Sequence, residues 1–365
     1  MYCRIFLRSA IVIIKPFLCD LIFMVAVKGY LFCIIGNRSA SCSKRIDYLM
    51  RIGAKFAACI HAFIIGDRKM KKETIFTGAA TALITPLNEN GVDYEKFGKL
   101  IDWQIESGID ALVICGTTGE GSTLTDEEHR ECIRYAVERT NKRVPVIAGT
   151  GSNDTAYAVD LTKFSCEVGA DAMLVVTPYY NKATQKGLIT MFNAIADAST
   201  KPIILYNVPS RTGCAIEPAT YVELAKHPMI AAIKEANGNI SKIVETAALV
   251  GDQLDIYSGN DDQIVPVLSV GGKGVISVLS NLLPYETSQM CKKFFEGDVA
   301  GSAKMQFDYL NLCNALFCEV NPIPVKAAMA HMGFCDNYLR LPLTPMEEAH
   351  EAVLVEEMKK AGINI

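Results

Sequence analysis

From residue 78 onward the sequence repeats one pattern: a short apolar run, a polar turn, then a segment of helical period. The runs lie near 79–84, 111–115, 144–148, 172–176, 202–206, 229–233, 254–258 and 274–278, mostly about 25–35 residues apart. That spacing is one strand–helix unit, and short continuous apolar runs suit parallel strands covered on both faces. The segments between them carry helix signals. In YEKFGKLIDWQIESG (94–108), Phe97, Leu100, Ile101 and Ile105 fall on one face. TDEE (125–128) has the Thr-x-x-Glu form of a capping box, so a helix should begin there. Eight such units within roughly 220 residues predict a closed (β/α)8 TIM barrel over 70–296. An open doubly wound sheet would carry fewer strands or a glycine-rich nucleotide turn. After about residue 297 strand signals stop. The stretches AGSAKMQFDYLNLCNALF, PVKAAMAHMG and PMEEAHEAVLVEEMKKAG predict a small helical C-terminal domain over 297–365.

Charge limits the partners. The net charge of −4 hides an asymmetry, because residues 1–69 hold eleven Lys/Arg against three Asp/Glu. The remainder has 25 basic and 37 acidic residues, and a body that acidic repels nucleic acid. The first 69 residues also hold five of the thirteen cysteines, and their apolar stretch from Phe17 to Ile35 is broken by Asp20 and Lys28. Those two charges argue against a membrane anchor, and no small-residue cleavage site marks a targeting segment. The expectation is an extension over 1–69, disordered or outside the working protein, ahead of a well-patterned start at Met70. The other eight cysteines form no CxxC pair, and the five histidines form no HxH or HExxH. No metal and no cofactor are expected, and scattered thiols suit a reducing cytoplasm.

In a barrel of this kind the chemistry comes from the C-terminal ends of the strands. Those ends are ITP (84–86), CGTTGE (115–120), GTG (149–151), TPYYN (177–181), YNVPSRTG (206–213), KEANG (234–238), SGND (258–261) and ISV (276–278). Lys234 is the single lysine at a strand terminus. An amine desolvated there is a nucleophile; the plain alternative is a lysine that reaches out to solvent. Arg211 carries a fork that fits a carboxylate, against an ordinary ion pair with a glutamate. The hydroxyls and amides of GTTGE suit a small carboxylate, although such a loop by itself is weak evidence. GTGSND (149–154) lacks the third glycine of a dinucleotide fingerprint and GGKG (271–274) is not a phosphate loop. His129, on the second helix, reads as a surface or interface residue.

Taken in order, GTTGE, TPYYN, YNVPSRTG, IKEANGN, GGKGVISV and NPIPVK (321–326) resemble the pyruvate-dependent class I aldolase family. The likeness runs from about Phe76 to the C-terminus and is nearest the branch that joins pyruvate to L-aspartate-4-semialdehyde on the route to lysine and diaminopimelate. The resemblance implies an imine between Lys234 and pyruvate, whose enamine adds to the aldehyde. It implies that Thr117 and Thr118 hold the pyruvate carboxylate and that Thr117, Tyr206 and Tyr180 form a proton relay, Tyr180 being supplied across a subunit interface. It implies that Arg211 binds the semialdehyde's carboxylate and that Gly259 and Ile276 line the pyruvate pocket through their backbone, a packing role for these two fitting the sequence equally well. Tyr179 reads as a packing residue. The family also implies a homotetramer built from tight dimers. Some members are inhibited by lysine through a His and a Glu at positions occupied here by Asp126 and Tyr157, which implies weak or absent inhibition. Sialic acid (N-acetylneuraminate) lyase and keto-deoxy sugar acid aldolases share the fold and the lysine, but differ at SRTG. A keto-acid sensor without turnover would need no proton relay.

Overall fold

The computed structural model describes four strands near the N-terminus and, continuously, residues 72–365. The other residues of 1–71, on which the reading of an extension outside the working protein also falls, lie outside the described residues. β1 (Cys3–Leu7), β2 (Ala10–Pro16), β3 (Asp20–Val27) and β4 (Tyr30–Asn37) pair antiparallel in chain order. The apolar stretch after Phe17 is therefore two strands, with Val27 opposite Tyr30. These strands belong to a separate unit, Met1–Lys69.

In the second unit, Met70–Ile365, eight parallel strands close on themselves. They are β5 (Gly78–Ala82), β8 (Ala111–Ile114), β9 (Val146–Gly149), β10 (Ala172–Val176), β11 (Ile203–Asn207), β12 (Ile230–Glu235), β13 (Asp255–Ser258) and β14 (Gly274–Ser277). β14 pairs back onto β5 and seals the cylinder. Between β5 and β8 a two-residue pair, β6 (Leu87–Asn88) with β7 (Gly91–Val92), makes a small antiparallel turn. The barrel expected from the apolar runs is present, with every strand end within two residues of its run.

Two layers of apolar packing explain why the runs are so continuous. The inside of the cylinder is narrow, and it is filled by Ala80, Ala82, Ala111, Ala172 and Ala232 with Val113, Ile147, Ile204 and Ile276. The outward faces carry larger side chains, such as Leu112, Met173, Leu205 and Ile233, which pack under the helices. Phe76 stacks on Tyr257 at 4.2 Å within the inner layer, and the Tyr257 hydroxyl donates to the Phe76 carbonyl at 2.7 Å.

The helices follow their local signals. Tyr94–Glu106 starts at Asp93, whose side chain accepts the Lys96 N–H. Asp126–Thr140 starts at Thr125 with the reciprocal capping box complete: the Thr125 side chain takes the Glu128 N–H and Glu128 takes the Thr125 N–H. After the barrel come Val299–Asp308, Leu310–Ala315, Ile323–His331 and Glu348–Lys360. The stretch AGSAKMQFDYLNLCNALF thus holds two helices, divided at Tyr309. Ile323–His331 is apolar nearly all round and buried from Ile323 to Met329, so it is held by packing on every side. Among the described residues no helix is long and apolar enough to cross a membrane.

Candidate active site

Parallel pairing sets Lys234 directly beside Tyr206 of β11 and Tyr257 of β13. Because side chains alternate along a strand, Lys234 and its successor Glu235 point to opposite sides of the sheet. Lys234 is 6 % exposed, and its Nζ lies 4.3 Å from the centroid of the Tyr206 ring. Burial pulls its pKa from 10.5 down to about 7; Asp261 acts the other way, and Arg211 adds to the fall. The amine is therefore uncharged in a large fraction of molecules near neutrality.

Glu235 points into the layer under the helices. Its carboxylate accepts from Asn207 Nδ2 at 3.0 and 3.2 Å and from the Tyr221 hydroxyl at 3.0 Å. Burial raises its pKa to about 7, with those donors pulling the other way. The Asn207–Glu235 pair sits one residue beyond the Tyr206–Lys234 pair in the same register, so it ties the two strand ends together behind those two side chains.

Tyr206, Arg211 and Thr117 line a cavity of about 610 Å³, together with Tyr179, His129 and Tyr157. Burial raises the Tyr206 phenol, while the Arg211 charge and the Thr117 side chain favour its ionised form. Arg211 lies in the short helix Pro209–Thr212. Among the described residues it makes no ion pair; one guanidinium nitrogen, Nη2, donates to the Asn321 carbonyl at 3.1 Å. The alternative of a partner glutamate does not describe it. Tyr179, read as a packing residue, is half-buried and faces the cavity.

Thr118 is buried behind this wall, its Oγ1 accepting from Asn321 Nδ2 at 3.1 Å. Ile276 is buried in the inner layer with Tyr206. Gly259 donates its N–H to the Glu235 carbonyl at 2.7 Å, and a Cβ there would stand 2.7 Å from the Ala236 Cβ, so only glycine fits. Tyr180 stands apart from these. It has a φ of 69°, in the left-handed region, and its side chain is 92 % exposed. His129 is buried and not a surface residue, because its helix lays that face on β9 and its Nε2 is 2.9 Å from the Gly149 carbonyl.

Sequence reasoning passed over three groups. Asp261 is 3 % exposed; its Oδ2 accepts the Val278 and Leu279 N–H at 3.0 and 2.9 Å, while Oδ1 has no partner among the described residues. Burial raises its pKa and Lys234 is among the groups holding it down. Glu120 and Lys326 form an ion pair with both side chains buried. The SGND and GTTGE segments contained two of these residues, but strand-end position alone gives no hint of a charge turned inward.

The comparisons agree with the architecture. The model of the Dihydrodipicolinate synthetase family matches residues 75–361. The 4-hydroxy-tetrahydrodipicolinate synthase of Lachnoclostridium phytofermentans is 59% identical over 291 residues, covering 79% of this chain and 99% of that protein. The crystal structure of dihydrodipicolinate synthase from Aquifex aeolicus aligns with a TM-score of 0.78 at 44% identity, over 79% of this chain and 99% of that one. That of the chloride-inhibited dihydrodipicolinate synthase from Acinetobacter baumannii, complexed with pyruvate, aligns with a TM-score of 0.78 at 43% identity, over 80% and 100%. With a closed eight-stranded barrel, a desolvated lysine at the end of its sixth barrel strand and a match over nearly the whole second unit, the chain belongs to the dihydrodipicolinate synthetase family.

Proposed function

We propose that the chain is a 4-hydroxy-tetrahydrodipicolinate synthase, a lyase that condenses pyruvate with L-aspartate-4-semialdehyde in lysine and diaminopimelate biosynthesis. The observation that carries this reading is Lys234, whose buried amine has a pKa pulled to about 7 beside the Tyr206 ring.

The neutral amine attacks the pyruvate ketone carbon, forming a carbon–nitrogen bond. The resulting carbinolamine loses its oxygen as water and leaves a protonated imine. Tyr206, with Thr117 at its hydroxyl, is the group that delivers the proton to the departing oxygen. The iminium withdraws electrons, so the methyl group releases a proton and becomes an enamine carbon. That carbon bonds to the aldehyde carbon of the semialdehyde, whose oxygen takes up a proton. The semialdehyde's own amine then attacks the imine carbon, which closes the ring and frees Lys234.

Thr117 and Thr118 hold the pyruvate carboxylate, with Gly259 and Ile276 lining its pocket. Arg211, whose fork has one acceptor among the described residues, binds the carboxylate of the second reagent. Tyr180 completes the relay from the neighbouring subunit, and its exposure and left-handed backbone suit a side chain presented outward. On this reading the working form is a homotetramer built as a dimer of dimers.

Incubation with pyruvate and borohydride, followed by digestion, tests the first step: reduction should fix the pyruvate carbons on the peptide holding Lys234, and an unlabelled peptide would end the proposal. A coupled assay of L-aspartate-4-semialdehyde against N-acetylmannosamine tests the second, with turnover expected for the former only.

A further inference from the structure

Asn321 opens the segment NPIPVK, beyond the barrel, and it touches both walls of the mouth. Its side-chain Nδ2 donates to Thr118 Oγ1 at 3.1 Å, and its main-chain carbonyl accepts from Arg211 Nη2 at 3.1 Å. Its Oδ1 is buried with no partner among the described residues. The amide oxygen thus gains nothing for the fold, and a buried polar atom left unpaired is costly. Thr118 has a single O–H, and because its oxygen accepts from Asn321, that O–H is directed to some other acceptor.

What holds Asn321 in place is an unusual fastening. Five residues along, Lys326 is completely buried and paired with Glu120, two residues past Thr118 on the same turn. The second Glu120 oxygen accepts the Arg340 N–H at 3.2 Å. The Arg340 side chain donates in turn to the Thr123 carbonyl at 2.9 Å and pairs with Glu128. Glu120 holds a φ of 54°, a conformation that a side chain normally avoids. A buried ion pair adds little to stability beyond what apolar packing would give, and its better-attested use is to fix register. Here the register fixed is that of the C-terminal helices against the GTTGE turn.

We propose that Asn321, held in register by the buried Lys326–Glu120 ion pair, is a positioning residue for both reagents: its amide aims the Thr118 hydroxyl at the pyruvate carboxylate, and its carbonyl aims Arg211 at the semialdehyde's carboxylate. This rests on the reaction proposed above. It makes the C-terminal helices part of the active site.

The two contacts come from different parts of Asn321, and that gives a test. Asn321→Ala removes the amide and keeps the carbonyl. It should raise KM for pyruvate about tenfold while changing KM for the semialdehyde by less than about twofold. In a Thr118→Val background the same change should add nothing further to KM for pyruvate, because the two groups act as a unit. The paired change Lys326→Met with Glu120→Gln removes the fastening without leaving a lone buried charge, and should raise both KM values. In all these variants, saturating pyruvate and borohydride should still label Lys234. If the parent protein is labelled but Asn321→Ala keeps the parent KM for pyruvate, or loses only thermal stability, the positioning role is overturned. If the parent itself takes no label, the underlying reaction is wrong and this role falls with it.

Discussion

Lys234 and Tyr206 are partners across adjacent parallel strands, with the lysine Nζ 4.3 Å from the centre of the phenol ring. Backbone register alone therefore sets the buried amine against the phenol that we propose carries its protons. An aromatic face favours an ammonium, and burial favours the neutral amine. Burial is the larger effect here, since the pKa falls to about 7.

A buried amine held near 7 instead of 10.5 works against the fold, and the sign can be followed with pH. Below about 7 the lysine is charged in both states, and the folded state bears the whole cost of burying that charge. Between about 7 and 10.5 the unfolded chain binds more protons, so stability rises with pH; above 10.5 the penalty is gone. Lys234→Met should therefore stabilise the protein, by on the order of 4–5 kcal/mol at pH 6 and by much less at pH 10. The same variant should lose about a thousandfold or more in kcat/KM. Urea unfolding at the two pH values, with a rate assay alongside, checks both. A stability gain independent of pH would refute the account.

Imine formation should show an acid limb. The attacking form is the neutral amine, so the rate of borohydride-trappable adduct formation should rise through about pH 7 and level off above it. Rapid-quench labelling across pH 5.5–9 (roughly the range that brackets the transition) should return an apparent pKa near 7. A flat profile would mean the lysine is not the titrating nucleophile.

Asp261 is the group that raises the Lys234 pKa against burial. Asp261→Asn keeps an oxygen for the Val278 and Leu279 amides but removes the charge. The acid limb should then move to lower pH, with the plateau rate little changed. A shift toward higher pH would show that the two groups do not interact as described.

Tyr206→Phe leaves the ring against Lys234 and deletes only the hydroxyl. Loss of a positioned proton carrier should lower kcat by about 10²–10³ while the imine still forms slowly. Unaltered turnover would remove Tyr206 from the relay.

L-Lysine should inhibit weakly or not at all. Asp126, where the resemblance implies an effector contact, is already held by Arg130 Nε at 2.8 Å, and residue 157, where it implies an acid, is a tyrosine. Initial rates measured against added lysine check this, and inhibition in the micromolar range would contradict it.

The barrel was legible because each strand is buried on both faces, which forces the continuous apolar runs that end at 84, 115 and so on. The helix start at Thr125 was legible because a capping box is local chemistry. The roles proposed for Lys234, Tyr206 and Arg211 rest on their place at the ends of predicted strands and on family likeness. Asp261, Asn321 and the Glu120–Lys326 pair were not legible. Their meaning depends on contacts between segments far apart in the chain, and periodicity carries no record of which polar side chains turn inward. The division at Tyr309 leaves no mark in the helical period, and Tyr180 gave no sign of its left-handed backbone.

The stacked rings of Phe76 and Tyr257 have a further effect. They fill the inner layer at the end where β5 begins, and the reaction proposed above uses the other end, where Lys234, Tyr206 and the cavity residues stand. Reagents that share one doorway must take turns. The keto acid has to be anchored deep before its partner arrives, and the finished ring must depart before the next cycle can load. On that order of events, an excess of either small acid should clog the passage and slow turnover.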